Sequence, residues 1–337
     1  MKERTTPRWV FWAGLVITLV GAMAVGAWSL TMPYYAYSAG PVGDAVESLV
    51  VRDGVTVYPP DGELLFLTVS VQEVNPYEMA AAALDPSIDL VRREAVRPAN
   101  ESDQQFRERG LNQMDQSKEQ AISVALSKLG DEHLITSDGV QVVDLIRTDL
   151  PEGTLQVDDI ITAIDGVPVT LSSDIRQLLD GKKPGDVIRV SLTRDGKPLT
   201  ADIPLYESPD EPGRPLVGIL AQTANPQLPI DISTGNIGGP SAGMMYTLAI
   251  IDDLSPGDLT KGHVVAGTGT INADGTVGAI GGIRQKVVAA EAAGAEVMLV
   301  PTANYQDALT APRQSMKLVE IANIDDALTF LDSLDPA

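Results

Sequence analysis

The chain has 337 residues and no cysteine, which excludes disulfide bonds, thiol nucleophiles and cysteine-ligated zinc. His133 and His263 are its only histidines, so a multi-histidine metal site is also excluded, and we expect no metal and no cofactor. A formal net charge of -22 argues against nucleic acid as a partner and is explained by solubility alone. The length accommodates about two domains.

The N-terminal segment has the pattern of a membrane anchor. Basic residues within positions 1–8 precede an uncharged apolar run over residues 9–32, and a membrane-spanning helix needs about 20 such residues. No lysine or arginine follows until Arg52, so the positive-inside rule predicts a cytoplasmic N-terminus and an extracytoplasmic remainder. We therefore predict a single-pass protein of the cell membrane. The alternative is a cleaved signal peptide, with small residues for cleavage at 36–38, and it exports the same remainder.

Residues 40–130 are predicted to form strands followed by a helix. Residues 63–71 are rich in apolar and β-branched residues between two turn signals, which predicts a strand. The charged segment 92–109 lacks a clear pattern and is predicted to be a surface excursion. From Met114 to Leu129 the apolar residues recur at helical spacing, and Gly130 ends the pattern.

Residues 133–207 have the order of elements found in a small β-rich module. Strands are predicted at 140–143, 187–193 and 199–205, with an apolar segment at 155–169 that turns at residues 165–166 and a short helix at 173–179. This order, with a turn at Asp165-Gly166, resembles a PDZ domain of the bacterial type. PDZ domains bind an extended peptide as an added strand, which implies peptide contacts at Gly139, Val140 and Val142. The loop at 137–140 departs from the family's Gly-Leu-Gly-Phe form, and the alternative role for the module is that of a spacer.

A glycine-rich turn at residues 238–243, Gly-Gly-Pro-Ser-Ala-Gly, leads directly into an apolar helical run from Met244 to Ile251. Proline suits the first position of a helix, so we expect Ser241 in the first turn, beside free N–H groups and the positive end of the helix dipole. A nucleophile that passes through an oxyanion benefits from that setting. The alternative is a loop that only caps the helix.

Lys286 is predicted to lie on an apolar helix face. Ile283 precedes it by one turn, and Ala289, Ala290 and Ala293 follow on the same face. Burial disfavours the charged form of a lysine and lowers its pKa, so Lys286 is a candidate general base. The alternative is a lysine that extends its ammonium group to solvent.

Residues 238–243 and residues 279–286, Ala-Ile-Gly-Gly-Ile-Arg-Gln-Lys, together resemble the two signature blocks of the Lon-type proteases. That family uses a Ser–Lys dyad. The resemblance implies that Ser241 is the nucleophile and Lys286 the base that activates it. The Thr-Gly block of the family matches at Thr268, which implies a supporting position beside the lysine.

The main chain around the serine is the predicted oxyanion site. The positions concerned are Gly239, Pro240 and Ala242, which flank Ser241.

The resemblance also implies a fold class. We expect an α+β protein in which a Lon-type proteolytic domain is split into residues 40–130 and 212–337. The PDZ-like domain, residues 133–207, is inserted between them, and one transmembrane helix, residues 9–32, precedes both. Lon-type domains commonly form rings, so the resemblance also suggests a homo-oligomer.

The predicted function is that of an ATP-independent serine endopeptidase. No G-x-x-x-x-G-K-[ST] phosphate-binding loop occurs in the sequence, and an extracytoplasmic enzyme meets no ATP. The expected substrates are extracytoplasmic proteins or peptides, with the PDZ domain recruiting them or regulating the enzyme. One alternative is an esterase, because residues 239–243 fit G-x-S-x-G and His263 follows. The other is a non-catalytic, membrane-tethered PDZ scaffold.

Overall fold

The structure is a computed structural model that describes residues 12, 15, 18, 19, 21, 25–52, 55–98, 101–131, 134–147, 150, 154–208, 211–225 and 227–337. Before the PDZ-like module the elements are β1 (Tyr34–Asp44), β2 (Leu49–Val51), β3 (Glu63–Glu73), α1 (Pro76–Ala82), β4 (Asp89–Arg92), α2 (Arg93–Val96) and α3 (Asp103–Leu129). The module and the segment after it contain β5 (Gly139–Leu145), β6 (Ile160–Ile164), β7 (Val167–Pro168), α4 (Ser172–Leu178), β8 (Val187–Arg194), β9 (Lys197–Pro204), β10 (Tyr206–Glu207), β11 (Pro215–Leu216) and β12 (Ile219–Ala224). The last part contains β13 (Ile230–Ile232), α5 (Gly243–Leu254), β14 (Val264–Gly267), β15 (Thr270–Ile271), β16 (Val277–Gly278), α6 (Ile283–Ala292), β17 (Val297–Pro301), α7 (Thr302–Ala308), β18 (Lys317–Ile321) and α8 (Ile324–Asp332).

A mixed six-stranded sheet in the order β18-β17-β14-β3-β1-β4 forms the centre of the molecule. β14 pairs in parallel with β3 and β17, and β17 pairs in parallel with β18. β1 is antiparallel to β3 and to β4. Strands from before and after the PDZ-like module therefore lie side by side in one sheet.

Both faces of this sheet are covered, as the alternation of side chains along β3 shows. Leu64 and Phe66 belong to a core cluster with the apolar residues of α5 and α3. Leu65 and Leu67 point to the other face, into a second cluster with the apolar residues of α6. Because β3 is buried on both faces, it is an apolar run rather than a polar–apolar alternation.

The helix α3 is longer than its apolar pattern predicts. It begins at Asp103 because the Ser102 hydroxyl accepts from the N–H of Gln105, whose side chain accepts from the N–H of Ser102 in return. Gly130 ends the helix in the left-handed conformation, with φ 78°. The described residues of the segment 92–109 are mostly exposed, as a surface excursion requires, but most of the segment is helical, which the prediction did not include.

The PDZ-like module has a sheet of its own, in the order β12-β5-β6-β8-β9, with β7 paired to β6. Its core is a separate apolar cluster to which Val140, Val142 and Ile161 contribute fully buried side chains.

The N-terminal predictions need correction. Residues 1–8 and part of residues 9–32 lie outside the described residues. Among the residues that are described, no helix has the length and apolar character that crossing a membrane requires. The predicted single-pass membrane anchor over residues 9–32 is wrong on this finding. The alternative cleavage site at 36–38 lies inside β1, which pairs with both β3 and β4.

Candidate active site

Ser241 lies in the loop directly before α5. The helix begins at Gly243 with Ala242 as its N-cap residue, so Pro240 is outside the helix and Ser241 is not in the first turn as expected. Gly239 adopts φ 97°, a left-handed conformation that favours glycine. The turn thus presents a half-buried serine side chain at one end of α5.

Two contacts from α3 hold this loop. The N–H of Gly239 donates to the carbonyl oxygen of Gly110 at 2.8 Å. The hydroxyl of Ser117 donates to the carbonyl oxygen of Pro240 at 3.0 Å. Sequence reasoning missed both residues of α3, because more than a hundred residues separate them from the loop and no local pattern connects the two.

The side chains of Ser241 and Lys286 meet. The Nζ atom of Lys286 donates to the Oγ atom of Ser241 at 2.7 Å. α5 and α6 cover opposite faces of the central sheet. Their residues come together beyond the carboxyl end of β14, where functional sites of α/β sheets usually lie.

Lys286 is buried rather than extended to solvent, since only 2% of its surface is exposed. No carboxylate lies within ion-pair distance of its amine in the described part of the chain. Desolvation therefore acts without a compensating charge, and burial lowers the pKa of Lys286 to about 7. A substantial fraction of this amine is neutral at pH 7.

Thr268 connects the lysine to the serine main chain. It is fully buried just after β14, and its Oγ1 atom accepts from Lys286 Nζ at 2.9 Å. The same hydroxyl donates to the carbonyl oxygen of Ser241 at 3.0 Å. The threonine thus has an acceptor for its own proton and leaves a lone pair for the amine.

The main chain around Ser241 supplies fewer free donors than the sequence suggested. The N–H of Gly239 is engaged with Gly110, and Pro240 has no N–H. The N–H groups of Ser241 and Ala242 have no hydrogen-bond acceptor among the described residues. These two groups are the available donors for an oxyanion.

His263, the histidine that the structure describes, does not contact the serine. His133 lies outside the described residues. The two ring nitrogens of His263 contact Glu296 Oε2 and the carbonyl oxygen of Asp335, each at 2.8 Å. The pairing of Ser241 with His263 that the esterase alternative requires is therefore not assembled among the described residues. Among the described residues, no group of three or more His, Asp or Glu side chains could hold a metal ion.

The three predicted peptide-contact residues lie on β5. Val140 and Val142 point their side chains into the core of the module, so only their main chain faces a neighbouring strand. Gly139 has φ 116°, and a Cβ atom there would lie 2.3 Å from the carbonyl oxygen of Ile161.

Comparisons with known proteins match two parts of the chain. Residues 224–333 match the family of the Lon protease (S16) C-terminal proteolytic domain, and residues 115–205 match the PDZ domain family. A Lon protease of Phenylobacterium zucineum is 41% identical over 101 residues, which are 29% of this chain and 12% of that protein. A Lon protease of Campylobacter concisus is 38% identical over 94 residues, or 27% of this chain and 11% of that protein.

A solved PDZ domain of an SdrC-like protein from Listeria monocytogenes is 32% identical and covers 26% of this chain and 90% of that chain, with a TM-score of 0.23. The matched part spans only about one eighth of the length of the curated Lon relatives, 12% and 11% in these two cases. By the two family matches, the chain contains a Lon-type proteolytic domain and a PDZ domain, and its architecture is mixed α/β.

Proposed function

We propose that this chain is a serine endopeptidase that uses a Ser–Lys dyad and requires no ATP. The observation that carries the proposal is the 2.7 Å contact between the buried amine of Lys286 and the hydroxyl of Ser241. A neutral amine at this distance can take the serine proton during attack on a peptide carbonyl and then donate it to the leaving amine. A base with a pKa near the working pH is well suited to both transfers.

The surroundings of the dyad support the same chemistry. The free N–H groups of Ser241 and Ala242 can stabilise the oxyanion, since they lie beside the attacking oxygen at the start of α5. Thr268 orients the amine through its 2.9 Å contact. Each group therefore has one role in a single acyl-transfer reaction.

The expected substrates are flexible or short polypeptides. The 337 residues contain no phosphate-binding loop that would power unfolding. A folded domain buries its main chain and cannot enter the site as an extended strand. We propose in addition that the PDZ domain recruits substrate or regulates the enzyme. We also propose that the chain forms a homo-oligomer, and light scattering would measure its molar mass in solution.

Cleavage of unfolded casein by the full chain tests the proposal. We expect Ser241→Ala and Lys286→Met each to abolish cleavage while the melting temperature stays near or above that of the wild type. Ser255→Ala, at the far end of α5, and Lys183→Met, at an exposed lysine, are matched controls that should cleave normally.

A serine-directed phosphonate provides a second readout. Wild type should be labelled, and Ser241→Ala should not. Cleavage that survives both dyad substitutions contradicts the proposed mechanism. A folded wild-type chain that neither cleaves nor is labelled would indicate a non-catalytic PDZ scaffold.

A further inference from the structure

The outer edge of the PDZ sheet is already paired with a strand of the same chain. β12 runs antiparallel to β5, with a register from Ile219 opposite Leu145 to Ala224 opposite Gly139. The pairing continues beyond the strand, where Thr136 and Gln227 exchange two main-chain hydrogen bonds at 3.2 and 2.7 Å. PDZ domains bind extended peptides by adding a strand to an exposed sheet edge, and here β12 covers the edge of β5.

The side chains of β12 follow the two-residue period of a bound strand. Ile219 and Ala221 pack against the core of the module, whereas Leu220 and Gln222 are exposed. Thr223 is buried, and its Oγ1 atom accepts from the N–H of Ser172, the first residue of α4, at 3.1 Å. β12 therefore contacts both β5 and α4, as a peptide lying between a strand and a helix does.

The carboxyl end of β12 reaches the loop that the PDZ resemblance identifies as the end of the peptide site. The N–H of Asp138 donates to the carbonyl oxygen of Ala224 at 3.0 Å. The side-chain amide of Asn225 donates to Asp138 Oδ2 at 2.7 Å. A ligand that ended in a carboxylate at this point would place a negative charge beside that of Asp138. The loop therefore favours a ligand that has an uncharged N–H group, rather than a terminal carboxylate, beside Asp138.

We propose that residues 219–224 are an internal ligand of the PDZ domain, and that external peptides bind its groove only when this strand is released. The external partner is an extended segment from within a longer polypeptide, so that it has no free carboxylate at the end that lies beside Asp138. While β12 occupies the groove, the PDZ domain cannot bind a peptide substrate there. This inference concerns peptide binding and is independent of proteolysis.

Two features make release of β12 feasible. A cleft of about 620 Å³ borders the strand, between β12 and the side chains of α3, so part of this side of the strand is not packed against the helix. The hydroxyl of Thr223 donates to Glu119 Oε2 at 2.7 Å, a polar contact that water can replace. The connection to the rest of the module is short, so the strand has a high effective concentration and must be displaced before a peptide binds.

A fluorescent peptide with the sequence of residues 217–224, amidated at its C-terminus, is the probe. Binding is measured by fluorescence polarisation to the full chain carrying Ser241→Ala, which prevents cleavage. Ala221→Arg places a charge on the face of β12 that packs on the module, and Leu220→Arg places the same charge on the exposed face. We expect the Ala221→Arg chain to bind the probe about tenfold more tightly or better, because the internal competitor is weakened. The Leu220→Arg chain should bind as weakly as its parent.

The end of the peptide provides an independent test. The free-acid form of the probe should bind several-fold more weakly than the amide, and Asp138→Asn should remove that difference. A folded Ala221→Arg chain that binds the probe no better than the Leu220→Arg chain overturns the proposal.

Should Ala221→Arg fail to fold, hydrogen exchange on the Ser241→Ala chain decides the question. With millimolar probe, the amides of residues 219–224 should exchange faster while those of residues 139–145 stay protected. Unchanged exchange in both segments overturns the proposal as well.

Discussion

Thr268 and Ser241 are connected through one carbonyl group. The Thr268 hydroxyl donates to the main-chain carbonyl oxygen of Ser241 at 3.0 Å, and the N–H of Gly269 donates to the same oxygen at 2.8 Å. The Thr268 hydroxyl also accepts the hydrogen bond from the amine of Lys286, so the position of that amine is tied to the main chain of Ser241. The serine, the lysine and the threonine consequently form one hydrogen-bonded unit.

Thr268→Val tests this role, because valine keeps the shape of threonine and removes the hydroxyl. The Lys286 ammonium that forms during attack loses an acceptor, and a hydrogen bond to a charged group is worth about 1.5–3 kcal/mol, so kcat/KM should fall about 10- to 100-fold. The pKa of Lys286 should also fall, because its charged form is less stabilised. Peptide cleavage measured from pH 5 to 9 gives both quantities.

Thr268→Ser is the matched control, since it retains the hydroxyl and should retain most of the activity. A valine variant with an unchanged rate and an unchanged pH profile would show that Thr268 does not position the lysine.

The activity of the wild type should rise with pH. The base must be neutral, and burial lowers the pKa of Lys286 to about 7, so kcat/KM should increase up to about pH 7 and then reach a plateau. The measurement uses a peptide without titratable groups, between pH 5 and pH 9. His263→Asn is the control, and it should leave the midpoint in place because that ring contacts Glu296 and not the serine. A flat profile contradicts a lysine base.

Gly243→Ala should weaken both the fold and the site. A Cβ atom at Gly243 would lie 2.7 Å from Ser117 Oγ and 2.9 Å from Ile271 Cγ2. Overpacking of this kind costs about 1–3 kcal/mol of stability, and it displaces the hydroxyl that holds the loop at Pro240. Thermal unfolding and peptide cleavage measure the two effects.

Gly281→Ala is the control, because a Cβ atom at that position meets nothing within 4 Å. Equal melting temperatures for the two alanine variants would show that the close approach of α3 and α5 tolerates a methyl group.

Asp252→Asn should stabilise the protein at neutral pH. Asp252 is 1% exposed, and burial, together with the charges of Asp258 and Asp253, raises its pKa to about 6. Its Oδ1 atom accepts from the N–H of Leu259 at 2.8 Å, whereas Oδ2 has no partner among the described residues. An asparagine keeps the acceptor and carries no charge.

The sign of this effect follows from the raised pKa. The folded state favours protonated Asp252. Its favourable contribution to the free energy of unfolding is therefore complete below about pH 4 and is lost as the pH rises through about 6. The variant should therefore gain about 1 kcal/mol over wild type at pH 8, after allowance for solvent screening, and little at pH 4. Denaturant unfolding at both pH values measures the difference. A gain in the free energy of unfolding that is the same at pH 4 and at pH 8 would exclude the titration of Asp252 as its cause.

Local patterns in the sequence were informative where a short segment determines its own structure. The apolar face around Lys286 left burial and extension to solvent both open, and the structure shows that the lysine is buried. The glycine-rich turn before α5 was located correctly, although the helix begins at Gly243 rather than at Pro240, because Ala242 takes the N-cap position. The capping pair Ser102 and Gln105 was present in the sequence and would have corrected the start of α3.

Composition alone was misleading at the N-terminus. An apolar run over residues 9–32 indicates a preference for an apolar environment, whereas a membrane span also requires a continuous helix of about 20 residues. The described residues contain no such helix.

The sequence by itself determined the two domain types, the candidate nucleophile and the candidate base, since each rests on residues close together in the chain. Only the tertiary structure decided that Gly110 and Ser117 of α3 hold the serine loop, and that β12 covers the edge of the PDZ sheet. These contacts join segments tens of residues or more apart. Main-chain groups make most of them, and because every residue except proline carries the same main-chain donor and acceptor, residue type gives little signal of which groups will pair.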